Sequence, residues 1–236
     1  MTQRKLKRFY KDVSVGGREG GFAVLLDGKP LKTPSRSAYA VPLRALAEAV
    51  AEEWRGQGEQ IDPDTMPITR LVNTAMERVP ASRVPVAEQV LTIGRSDLLC
   101  YRADTAPELA VRQAAAWDPL LGWLAARYGA RLKTGQGIAF IDQPTEALAA
   151  LSQAIRLLDD FALTGLSAAA AILGSLVLAL ALSEGRIDAA EAMRLATLDE
   201  AFQSERWGVD AEAQARLDDL GAELAAAERF LRLVRA

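Results

Sequence analysis

The chain has 236 residues, half of them hydrophobic and 25% charged, a globular composition with enough material to bury a real core. A formal charge of −3 leaves no overall basic field to recruit nucleic acid. With no histidine and one cysteine, Cys100, the chain lacks imidazole bases, Ser-His and Cys-His nucleophile pairs, and zinc sites built on His or paired Cys.

In chain order, Arg4, Lys5, Lys7, Arg8 and Lys11 form a basic arm with no apolar run behind it, so a secretory signal is not expected. Residues 8–41 read as β-structure. Phe9, Val13 and Val15 lead into a Gly-rich turn, Phe22–Leu26 forms the next strand, and Asp27-Gly28 signals a two-residue hairpin into Leu31. Tyr39 and Val41 suggest a further short strand. Pro42 then opens a helix whose buried stripe is Leu43, Leu46, Val50 and Trp54, with Glu48, Glu52 and Glu53 elsewhere. After a linker over Ile61–Thr65, helix resumes at residues 71–76 and again to about Ile93. Asp97–Tyr101 reads as a short extended segment, Pro107 starts another helix, and Asp118-Pro119 predicts a kink or a fresh N-cap. Residues 131–141, with Gly135 and Gly137, suggest a second hairpin.

From Pro144 onward the pattern is nearly all helix. Residues 161–182 carry no charge over 22 positions, long enough to span a membrane. They are rich in Ala, Gly and Ser and lack flanking aromatic or basic anchors, so a buried helical hairpin or broken central helix is expected. Gly185 stops that unit. Asp188 and Glu191 form a capping box for a helix to about Arg206, Gly208 ends it, and Asp210 caps the last helix. The repeat Leu217, Leu220, Leu224, Ala227, Leu231 and Val234 suits packing in a bundle. The fold class is therefore α+β, with a small β-rich domain with one helix over 1–62 and a larger multihelical domain over 63–236.

The most informative segment is 198–208. At about 100° per residue, Ala196, Glu200, Gln203 and Trp207 share one line, while Leu195, Leu198 and Phe202 make the core face. A tryptophan beside Glu and Gln, away from the core stripe, is what a docking surface looks like. Glu205 turns toward the Leu198 side, either against a cation or at a fraying end. Glu200 and Glu205 thus diverge, which argues against an acid/base pair, although both fit an ordinary solvated acidic face. A carboxylate enzyme using Glu200 or Glu205 with Asp199 and a divalent metal is the competing reading.

Several stretches resemble one known family. They are Arg8-Phe9-Tyr10-Lys11, Leu26-Asp-Gly-Lys-Pro-Leu-Lys-Thr-Pro34, Glu53-Trp54 with Gln57, Met66-Pro67, Asn73-Thr74, Asp97-Leu98 with Cys100-Tyr101, residues 175–182, Leu198-Asp199-Glu200, Phe202-Gln203 and Trp207-Gly208. In order, and over nearly the whole chain, they are similar to the assembly chaperones for the α subunit of the F-type ATP synthase, found in mitochondria and α-proteobacteria. The resemblance implies a β-rich domain joined to a helical one, no catalysis and no cofactor or metal. It also implies binding of unassembled α subunit until it pairs with β. It further implies a functional acid between Glu200 and Glu205, and the expected partner-binding set is Glu200, Gln203, Glu205 and Trp207. Where the family often has a histidine after the Trp-Gly, this chain has Gln214 or its neighbours. The expected protein is a monomer, not membrane-embedded, without nucleic-acid partners, and cytoplasmic in a bacterium.

Overall fold

The computed structural model describes residues 6–235, so Arg4 and Lys5 of the basic arm lie outside the described residues. Strands β1 (Leu6–Lys7), β2 (Val13–Arg18), β3 (Gly21–Leu26) and β4 (Lys29–Pro30) precede helix α1 (Arg44–Arg55), and β5 (Gln60–Ile61) follows it. β2, β3 and β4 form an antiparallel sheet in that order, while β5 returns antiparallel to β1. Asp27 and Gly28 take φ of 48° and 75°, the left-handed pair that a tight hairpin twist requires. Gly16 and Gly17 fall inside β2, and the turn sits at Glu19-Gly20 instead. Gly21 is needed for a different reason: a Cβ there would come 2.2 Å from the Val41 carbonyl oxygen. Val41 pairs with Phe22 in an isolated bridge, so the further strand expected near Tyr39 is reduced to single contacts.

Helix α1 lays Leu46 and Val50 into the core, with Trp54 half-buried at its end. Glu53, which the periodicity puts off the buried stripe, does structural work. Its carboxylate accepts from the Ile68 and Thr69 amides at 2.7 Å each and from the Thr69 hydroxyl at 2.6 Å. It thereby caps α2 (Pro67–Asn73), whose own first residue supplies no side-chain cap. Burial pushes the Glu53 carboxyl up, and those hydrogen bonds pull it back.

A single π-helical stretch, Thr74–Arg78, leads into α3 (Val79–Ala81) and α4 (Arg83–Arg95). Leu98–Cys100 makes a 3-10 turn into β6 (Tyr101–Arg102). Helix α5 (Pro107–Tyr128) runs unbroken through Pro119, and Asp118 pairs with Arg102 at 2.7 Å rather than capping a new start. The hairpin expected over 131–141 is absent. β7 (Gly135–Gln136) lies parallel to β6, and the Gln143 amide clamps both backbone groups of Lys133, at 2.8 and 3.0 Å, closing the loop without strand pairing.

The remaining helices are α6 (Thr145–Arg156), α7 (Asp160–Leu173), α8 (Leu176–Ser183), α9 (Ala189–Ala196), α10 (Leu198–Trp207) and α11 (Ala211–Arg235). The uncharged run is thus two helices broken at Gly174, with φ of 60°, and Ser175. Among the described residues, no helix is long and apolar enough to cross a membrane. The break is pinned by Asp97, which is fully buried and accepts from the Ser175 hydroxyl at 2.8 Å and the amides of Val177 and Leu99 at 3.0 and 3.1 Å. Burial pushes its carboxyl up to about 6, against the pull of those hydrogen bonds. Burial, then the neighbouring Asp97, pushes the Cys100 thiol up to about 12, leaving it inert.

The single helix expected from 188 to 206 is broken at Thr197, which leaves helical geometry at φ −107°, ψ 23°. Only half of the capping box forms. Asp188 accepts from the Glu191 amide at 2.8 Å, but the Glu191 carboxylate turns to Arg194 at 2.7 Å. The buried side chains fall into two clusters, one of α4–α9 and one of the sheet, α1 and α2. Helix α11 serves both, inserting Leu224 into the first and Phe230 into the second. Its approach to α7 is close: a Cβ on Gly165 would lie 2.6 Å from Leu231.

Candidate functional site

Helix α10 is held to the body by the buried Phe202, by the partly buried Leu198 packed against the core, and by a set of polar latches. Phe202 is its only buried residue, 5% exposed, as the core stripe predicts. The guanidinium groups of Arg206 and Arg112 lie 4.3 and 5.2 Å from the Phe202 ring centre. Each arginine also ties α10 to α5. Arg112 donates to both Glu205 oxygens at 2.9 and 2.8 Å, and Arg206 donates to Glu108 at 2.6 Å. These pairs are about half exposed, so each adds at most ~1 kcal/mol and serves mainly to orient the helix. Beneath them, Gln113 donates to Asp199 at 2.8 Å and accepts from the Ala103 amide at 2.8 Å, and the Trp117 indole donates to the Leu195 carbonyl at 3.0 Å.

The outer side of α10 is free. Glu200, Gln203 and Trp207 are exposed, Trp207 by 76%. Ala196, expected on their line, sits on the other side of the Thr197 break. Facing α10 is the first half of α11, which buries no residue before Leu224. Three grooves border this half-helix. The largest, about 790 Å³, includes Met193, Ala201, Val209 and Leu217, together with Glu200 and Glu205. A second of about 290 Å³ contains Glu200, Gln203 and Trp207, and a third of about 480 Å³ runs from Glu200 and Ala196 toward Leu98 and Ile172. Glu200 and Leu217 line all three.

The structure therefore brings Glu200, Gln203 and Trp207 together on one groove, while Glu205 meets Glu200 in the largest groove and is engaged by Arg112. The acids do not converge. Asp199 is taken by Gln113, and among the described residues no group of three or more His, Cys, Asp and Glu could hold a metal ion. Sequence reasoning missed Met193, Val209 and Leu217 as part of this surface. Leu217 carries the helical repeat of a core residue, and only the lack of a covering element makes it a groove wall.

A family model described as "ATP12 chaperone protein" matches residues 7–125. The mitochondrial protein atp12 of Schizosaccharomyces pombe is 24% identical over 220 residues, covering 88% of this chain and 76% of that protein. The crystal structure of Atp12 from Paracoccus denitrificans is 43% identical, covers 98% of this chain and 99% of its own, and superposes with a TM-score of 0.94. The Atu1473 protein of Agrobacterium tumefaciens is 42% identical over 97% of this chain and 86% of its own, with a TM-score of 0.93. The β-rich start, the multihelical remainder and the resemblance read from the sequence are all met by these matches. With the same architecture from end to end and a family match over half its length, this chain belongs to the ATP12 chaperone family.

Proposed function

We propose that the protein is an assembly chaperone that binds the unassembled α subunit of the F-type ATP synthase and keeps it from aggregating until it enters the catalytic head. The partner-facing residues in this reading are Glu200, Gln203, Glu205 and Trp207. The observation that carries it is the outer side of α10, where an exposed tryptophan and a free carboxylate border apolar grooves left open by the first half of α11. Family membership and relatives that bear the Atp12 name support the assembly role. Such a chaperone works by mass action: binding the exposed state lowers its free concentration and slows aggregation, with no catalytic step and no bound cofactor. Anchors mixed with charges keep the affinity moderate, so that the proper subunit can displace the chaperone. The bacterial cytoplasm is the compartment this reading assigns.

The test is Glu200→Lys. An exposed helix charge seldom changes stability by more than about 0.5 kcal/mol, so its denaturation midpoint should match wild type. Its protection of α subunit in a light-scattering aggregation assay should fall. Undiminished protection would remove Glu200 from the site, and failure of wild-type protein to co-purify α subunit from cells would remove the function.

A further inference from the structure

We propose that the segment of the α subunit held by this protein is an apolar stretch bearing a lysine or arginine, seated in the largest groove with its cation on Glu200. This rests on the functional reading above and adds the chemistry of the bound segment. Around the groove, other carboxylates have internal partners. Asp188 accepts from the Glu191 amide, Glu191 takes Arg194, Asp199 takes Gln113, Glu205 takes Arg112, and Asp218 takes Gln214 at 2.8 Å. The Glu200 side chain has no hydrogen bond or ion pair among the described residues. Glu212 and Asp219 are likewise unpartnered, but neither lines a groove.

The groove of about 790 Å³ is walled mainly by apolar and small side chains, and its charged lining residues are Glu200, Glu205 and Asp218, with no lysine or arginine. Arg216 borders the other two grooves and is absent from this one. An apolar channel with a one-signed rim attracts apolar chain of the opposite charge and rejects acidic chain, because an unpaired like charge there is costly. Asp218, held by the neutral Gln214 amide, keeps its charge and sets the field, Glu205 is largely offset by Arg112, and Glu200 supplies the free carboxylate.

The experiment measures capture of purified α subunit by wild-type protein and by the Glu200→Gln/Asp218→Asn double variant, across a range of salt concentrations. Circular dichroism and thermal melting confirm that the variant folds. The expected result is an affinity about tenfold lower for the variant, with a flatter dependence on salt. Charge reversal supplies the second arm: one Lys→Glu or Arg→Glu variant of α subunit should lose capture by wild type and regain it with Glu200→Lys. If the double variant captures α subunit with wild-type affinity and salt dependence, the inference is overturned while the chaperone reading stands. If wild type captures no α subunit, both fall. A concentration-dependent dimer of wild type, dissolved in the double variant, would assign the groove to a second copy and overturn the inference.

Discussion

Helices α8 and α10 are of similar length and sit on either side of α9, yet the chain uses them in opposite ways. All residues from Leu176 to Leu182 are buried, and no charge lies on α8. Helix α10 buries Phe202 alone and carries Asp199, Glu200, Glu205 and Arg206. A helix apolar all round can only be frame, since each of its faces must be covered. A helix held by Phe202, Leu198 and borrowed latches is oriented without being enclosed, and its outer side stays exposed. The lesson is that the surface proposed for docking is built by withholding cover, on a base stiff enough to keep it in place.

The sharpest way to break this contrast is Leu178→Ala. Leu178 is fully buried, so truncation should cost about 3–4 kcal/mol through lost transfer energy and a residual cavity. Urea unfolding would measure it, and a loss below about 1 kcal/mol would show that α8 is not frame. Next in size is the pH response of the carboxyl that pins α8. Burial raises folded Asp97 to about 6 from its ordinary 3.8, so the folded state holds its proton more tightly. Its contribution to stability is complete below about pH 4 and is lost as pH rises through about 6. Relative to Asp97→Asn, wild type should therefore lose up to about 3 kcal/mol between pH 4 and pH 7. A difference that stays constant with pH would mean that this carboxyl does not titrate in that window.

The smallest effect belongs to the open side. Gly221 sits inside α11 where its free half meets the packed half, and a Cβ there would touch nothing within 4 Å. Gly221→Ala should stabilise the protein by about 0.5–1 kcal/mol, read as a higher denaturation midpoint. Destabilisation instead would mean that the half-helix needs that flexibility to stay folded.

Much of this was legible in the chain. The Asp27-Gly28 turn, the break of the uncharged run near Gly174 and the cap at Asp188 are written in neighbouring residues, and so is the exposed line from Glu200 to Trp207. What was hidden depends on distance. Glu53 looks like a surface acid until α2, 15 residues on, arrives with uncapped amides, and Asp97 meets the Val177 amide 80 residues away. The parallel pairing of β6 and β7 is likewise unreadable from a local Gly-rich stretch. The groove was hidden for the converse reason. Leu217 and Leu220 have the spacing of buried residues, and periodicity cannot say that they are left only partly covered.

Helix α11 completes both cores, with Leu224 in one and Phe230 in the other. During synthesis it leaves the ribosome after every segment it packs against. Until then, the cluster around the sheet lacks Phe230 and the cluster of α4–α9 lacks Leu224. Both clusters therefore close only once α11 has been made. The ribosome-bound chain should accordingly stay protease-sensitive in both halves until α11 has emerged.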